Sequence, residues 1–252
     1  MPDIKIVLKI LIVTLCFGLI HKSWAFVDAE GESILLQVDQ TMFPEAFVNY
    51  FTIENTAPNM KKDSISLFSA QNKTGQSVIL IVDPPALLGR SAFWDGKEIW
   101  IHTPGELEAR KSGLQQSFVG GVFNNMDLMM GPYHTHHRAQ LEGEDKDFQY
   151  LKLIPKTDGL PYIFMKMKIN KHAQVVAELS QYVREDTLFK RIIFEDVKEV
   201  SRNSHRPTSM ATSSELNPLY RSKWRLGVQK EEHVAPEAFS VEFLPKLGQL
   251  LK

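Results

Sequence analysis

Apolar and polar positions divide the chain into three stretches of different rhythm. The first is Ile10–Ile20, an uncharged apolar run of 11 residues. Lys5 and Lys9 precede it, and Ser23-Trp24-Ala25 closes it with small residues at −3 and −1. That is the order of a secretory signal: basic start, apolar middle, small-residue cleavage site. The run is shorter than the roughly 20 apolar residues of a spanning helix. Residues 1–25 are therefore expected to be cleaved, leaving 26–252 as one domain. The second stretch, Asp28–Thr41, places Ile34, Leu35, Val38 and Met42 on one helical face and begins with acidic residues suited to the helix dipole.

From Ser64 onward the third rhythm, a period of two, dominates. Ser77–Val82 is apolar on both faces and rich in β-branched residues, as a strand covered on both sides should be. Arg90–Trp94 and Glu98–His102 flank Asp95-Gly96, a tight-turn signal, and predict a hairpin. Phe148–Pro155 and Tyr162–Asn170 flank Thr157-Asp158-Gly159 and predict a second. In its later strand Ile163, Met165, Met167 and Ile169 point one way, Lys166 and Lys168 the other. Ala173–Tyr182, Thr187–Val197, Thr208–Ser213 and Arg221–Gln229 continue the meander, and Leu114–Met130 reads as a mixed helical insertion. About nine sequence-local antiparallel strands with few helices make an α+β, mainly β fold. Such a sheet must bury one face; a strongly curved sheet, or an incomplete barrel, closed over helices does so and leaves room for an apolar cavity.

Composition adds exclusions. The 252 residues are 43% hydrophobic and 23% charged, ordinary values for a folded protein. The net charge of −1 provides no basic excess for nucleic-acid phosphates. The single cysteine, Cys16, lies in the signal, so the mature chain has no disulfide, zinc–thiolate site or cysteine nucleophile. GxSxG, GxxxxGK[ST] and GxGxxG are all missing.

Three clusters remain. Tyr133-His134-Thr135-His136-His137, followed by Glu142, Glu144, Asp145 and Asp147, could ligate a metal if His134 and His136 share a strand face. No HExxH accompanies them, and a solvated, non-coordinating loop is the plainer reading. Phe93, Trp94, Trp100, Phe118, Phe123, Met126 and Met129 concentrate aromatic and methionine side chains around the first hairpin and the insertion. They read either as ordinary core or as the adaptable wall of an acyl-chain cavity. Arg202, Arg206, Arg221, Lys223 and Arg225 read as exposed charge, or as contacts to lipid head groups or an acidic partner.

Motif order carries a resemblance. Asp83-Pro84-Pro85-Ala86-Leu87-Leu88-Gly89-Arg90, then Ala92-Phe93-Trp94-Asp95-Gly96 and Ile99-Trp100-Ile101-His102-Thr103-Pro104, resemble the core motif of the outer-membrane lipoprotein-sorting protein family, similar to LolA and LolB. Gly120–Leu128 resembles that family's GSDFSYEDL stretch, with Gly121 in place of its serine and Val122 in place of its aspartate. Pro207-Thr208-Ser209-Met210 and Pro236-Glu237-Ala238-Phe239-Ser240 fit its end, so the likeness spans roughly Gly31–Leu247. His102 stands where the family has tyrosine, and the histidine cluster is foreign to the pattern. The resemblance implies a half-open antiparallel barrel covered by helices. It implies a periplasmic, non-enzymatic carrier of lipid or lipoprotein acyl chains, with no cofactor or metal and only transient membrane contact. It also implies an inner-membrane exporter of the resistance-nodulation-division type as a partner. The rival expectations are an exported metal-dependent enzyme using His134–His137 and an envelope adaptor that holds no lipid.

Overall fold

A computed structural model describes residues 28–251, apart from residues 44, 45, 130, 202, 203 and 216. The expected signal, 1–25, lies outside the described residues, as does Arg202. Helix α1 (Ala29–Met42) starts at Asp28, whose side chain accepts the Gly31 N–H at 3.0 Å and caps the first turn. Its buried face is Ile34, Leu35, Val38 and Met42, as the helical spacing predicts.

Thirteen strands follow: β1 (Phe47–Thr56), β2 (Lys62–Gln71), β3 (Ser77–Asp83), β4 (Ser91–Trp94), β5 (Ile99–His102), β6 (Arg110–Ser112), β7 (His137–Glu144), β8 (Phe148–Pro155), β9 (Phe164–Asn170), β10 (Val175–Arg184), β11 (Thr187–Ser201), β12 (Ser204–Ser214) and β13 (Arg221–Lys230). They form one sheet ordered β6-β5-β4-β3-β2-β1-β13-β12-β11-β10-β9-β8-β7, antiparallel throughout. Only the pairing of β1 with β13 is non-local; the sheet stays open, with β6 and β7 as its edges. Asp95-Gly96 is the β4–β5 tip: Asp95 accepts the N–H groups of Lys97 and Glu98, and Gly96 takes φ +99°.

The sheet has more strands than the sequence pattern predicts. β1 was hidden because Asn49 and Asn55 occupy inward, buried positions and break its apolar alternation. β7 was hidden because it is an edge strand with Arg138, Gln140 and Glu142 on its outer face. The insertion is less helical than expected: among its described residues only α2 (Asn125–Met129) is helix, and the others form turns and irregular chain. The histidines begin in a one-turn helix, α3 (Tyr133–His136), not on a strand.

Two apolar clusters flank the sheet. The larger fills the concave side, where α1 and the insertion meet Phe51, Ile53, Leu67, Met165, Met167 and Trp224. The smaller lies on the other side of β2–β5, where a C-terminal segment ending in α4 (Leu244–Leu247) places Phe239, Leu244 and Leu247 on Ala70, Val78, Leu80 and Phe93. β4 is consequently buried at all four positions, and β3 at its first five. This is the two-sided cover that the SVILIV run requires.

Candidate functional site

The open edge of the sheet decides where α1, the lid over the concave face, rests. An edge strand presents unpaired N–H groups that need partners. On β7 they are taken by α1: Asp28 Oδ2 accepts the Leu141 N–H at 2.7 Å and Glu32 Oε1 that of Ala139 at 2.9 Å. Gly31 lets the helix approach, since a Cβ there would stand 2.9 Å from the Leu141 nitrogen. At the far end Asp39, 2% exposed, accepts the backbone N–H groups of Tyr133 and His134 and the His134 ring at 2.9 Å. Burial raises the Asp39 carboxyl pKa, against the hydrogen bonds that lower it.

The histidine cluster is absorbed by this scaffold. His137 is fully buried, bonded to the Tyr133 carbonyl at 3.0 Å and the Tyr162 hydroxyl at 2.7 Å, and stacked on the Tyr162 ring. Burial lowers its pKa to about 4. His136 meets the edge of Trp94, and burial lowers its pKa as well. Among the described residues no group of three or more His, Cys, Asp or Glu side chains is placed to hold a metal ion.

The insertion is fastened to the sheet by polar contacts rather than by helix. Asn55 donates to the Val119 carbonyl at 3.1 Å and accepts from Ser222 at 2.7 Å, and Ser222 accepts the Val122 N–H at 2.8 Å. Asp127 and Lys190, each with a side chain 2% exposed, form a buried ion pair. Gln181 donates to Asp127 at 2.9 Å, and Lys190 also reaches the Val122 carbonyl. Neither the Asn55–Ser222 pair nor the Asp127–Lys190 pair follows any motif spacing: the members lie 167 and 63 residues apart.

Between lid, insertion and sheet lies a cavity of about 110 Å³. Its apolar wall includes Met42, Phe51, Met126, Met165, Met210 and Trp224. Where β1 meets β13, beside β12, the wall turns polar, with Asn49, Gln71 and Arg206; Asp127 and Gln181 are further polar residues of the lining. Of the candidate wall residues, Met126 lines this cavity. Trp94, Phe118, Phe123 and Met129 belong to the surrounding concave-side cluster without lining it. Phe93 and Trp100 face the opposite way, into the cluster beneath the C-terminal segment. A strand sends neighbours to opposite faces, so residues adjacent in sequence could not all share one wall. Much of the wall comes from strands outside this region, among them β1, β9, β11 and β12, where single Met and Phe positions carry no local signal. Of the basic group, Arg221 and Arg225 are exposed and Lys223 is half-buried, but Arg206 turns inward.

Comparison with solved structures places this architecture. The chain superposes on a LolA superfamily protein from Nitrosomonas europaea with a TM-score of 0.75 and 19% identity, covering 84% of this chain and 98% of that one. It superposes on an outer membrane lipoprotein-sorting protein domain from Vibrio parahaemolyticus with a TM-score of 0.75 and 14% identity, covering 86% and 98%. No curated protein matches the sequence. The fold is thus LolA-like: a half-open, curved antiparallel sheet with helices over its concave face. Within that fold, the chain belongs to the family whose model, described as an uncharacterized protein, matches residues 73–246.

Proposed function

We propose that this protein is an exported carrier that shelters the apolar chain of a lipid or lipoprotein between its sheet and its lid. The observation that carries the reading is the cavity: methionine and aromatic side chains from β1, β9, β11, β12 and β13, with Met42 of α1 and Met126 of α2, surround an unfilled space on the concave side. Close packing is the rule inside proteins, and an unfilled apolar space is expensive unless something occupies it. Each methylene moved from water into such a space contributes about 0.8 kcal/mol, so retention needs no covalent step or metal. The flexible Met42, Met126, Met165 and Met210 can repack around chains of different length.

The setting follows from the N-terminal pattern: cleavage after Ala25 would release residues 26–252 into the periplasm as one domain. Among the described residues no helix is long and apolar enough to cross a membrane. Delivery then requires transient contact with a membrane or with a partner such as an exporter. The likeness to a lipoprotein-sorting domain supports cargo of that kind. Mass spectrometry of organic extracts from the purified protein tests the reading. Stoichiometric co-purifying lipid is expected; protein that carries none, and takes none up from vesicles, contradicts it.

A further inference from the structure

The polar part of the cavity wall holds a charge without a counter-charge. Arg206 is 8% exposed and lines the cavity. Its Nη1 donates to Gln229 Oε1 at 2.5 Å, and its guanidinium lies 5.7 Å from the centre of the Phe47 ring. Its Nε has no hydrogen-bond partner, and among the described residues no carboxylate forms a salt bridge with it. The neighbouring Gln229 Nε2 is a second buried donor without a partner, and the Asn49 Oδ1 on the same wall is also unpaired. Buried cations are ordinarily paired, because water that would have solvated them has been removed. Buried donors are ordinarily satisfied. An orphaned Nε on a guanidinium that lines an apolar cavity, with a second orphaned donor on the amide hydrogen-bonded to that guanidinium, is what an oxyanion would complete.

We propose that Arg206 and Gln229 form a head-group site for an anionic amphiphile, whose carboxylate or phosphate accepts from Arg206 Nε and Gln229 Nε2 while its chain lies along the methionine wall. The inference rests on the carrier reading and sharpens it: the cargo is an acidic lipid held at both ends, not any apolar chain. Burial also lowers the Arg206 pKa, to about 10, which leaves it charged at neutral pH and still in need of a partner.

Binding of four probes to the delipidated protein tests the site: palmitate, hexadecyl phosphate, 1-hexadecanol and inorganic phosphate. The acidic amphiphiles are expected to bind at least about tenfold tighter than the alcohol, since charge-assisted hydrogen bonds exceed neutral ones. Inorganic phosphate is expected not to compete at similar concentration. Arg206→Met and, separately, Gln229→Met should reduce the acid-over-alcohol ratio while hexadecanol affinity holds. The wild-type ratio is informative even if Arg206→Met fails to fold. Equal binding of acid and alcohol overturns the head-group site and leaves the carrier reading standing. Binding of inorganic phosphate as tight as that of the amphiphiles overturns it in favour of a free-anion site. Failure of every chain-bearing probe overturns both.

Discussion

Gly121 stands where the lipoprotein-sorting motif carries serine, and its surroundings leave no room for one. It adopts φ +69°, and a Cβ there would sit 2.0 Å from Asn55 Oδ1 and 2.5 Å from Ser222 Oγ, the pair that fastens the insertion to the sheet. Gly121→Ser is therefore expected to lose about 2 kcal/mol or more of unfolding free energy, read from denaturant titration, because it combines backbone strain with a blocked hydrogen bond. A change under about 0.5 kcal/mol, the scale of a neutral surface substitution, would contradict the close approach. The Asp127–Lys190 pair yields a second expectation. Lys190→Met leaves the Asp127 carboxylate buried with only Gln181 and backbone donors, a loss of about 3–5 kcal/mol. Removing both charges in Asp127→Leu/Lys190→Met should cost less than the two single changes added together; a double variant whose loss equals the sum of the single losses would show that the pair is not coupled. His137 gives a third, with a sign. Its pKa of about 4 lies below the ordinary value of 6.5, so folding favours the neutral ring. The stabilisation is complete above about pH 6.5 and is lost as pH falls toward 4, about 3 kcal/mol at most. Asp39, with its raised carboxyl pKa, works in the opposite direction as pH falls. Comparison of His137→Gln with the parent isolates the histidine: its urea midpoint should change less between pH 7 and about pH 4, and parallel curves would refute the assignment.

At the scale of elements, α1 is both lid and edge cover. Asp28 at its N-cap and Glu32 satisfy β7 while its apolar face packs on the concave-side core and Met42 at its C-terminal end lines the cavity, so anything that lifts the helix also exposes the edge. Gly31→Ala separates these demands. Helix propensity alone predicts a gain of up to about 1 kcal/mol, but the added Cβ meets the Leu141 nitrogen at 2.9 Å. The expected result is a lower melting temperature and faster hydrogen exchange at the Leu141 and Ala139 amides. A stabilised variant with unchanged exchange would place α1 away from β7. Elements with one regular rhythm were the legible ones. α1 and the Met165–Ile169 alternation follow from a continuous apolar stripe, and the β4–β5 hairpin from its Asp95-Gly96 turn. β1 and β7 were not legible, because inward amides and an exposed edge replace the stripe. The histidine cluster misled for a related reason. Its side chains satisfy a buried tyrosine, a carboxylate and backbone groups distant in sequence, and spacing records none of these.

For the whole molecule, one sheet separates two apolar layers of different character. In the layer under the C-terminal segment Leu244 is fully buried, and Phe93 and Phe239 belong to the same cluster. The concave layer holds the cavity, with a wall that is apolar in one part and polar in another. The division was only half visible in the sequence. The run from Phe93 to Met129 did mark a dense aromatic and methionine region, but strand alternation distributed it over both layers, and much of the cavity wall was drawn from strands remote in sequence. The central claim is that cargo chains enter the concave layer and not the other one. A fatty acid carrying a photoreactive diazirine near its methyl end, irradiated with the purified protein and mapped by peptide mass spectrometry, measures this directly. Adducts on cavity residues such as Phe51, Met126, Met165 and Met210 are the predicted result. Adducts confined to the other layer or to the exposed outer residues Phe68 and Val228, or no adducts with a chain that does bind, would contradict it.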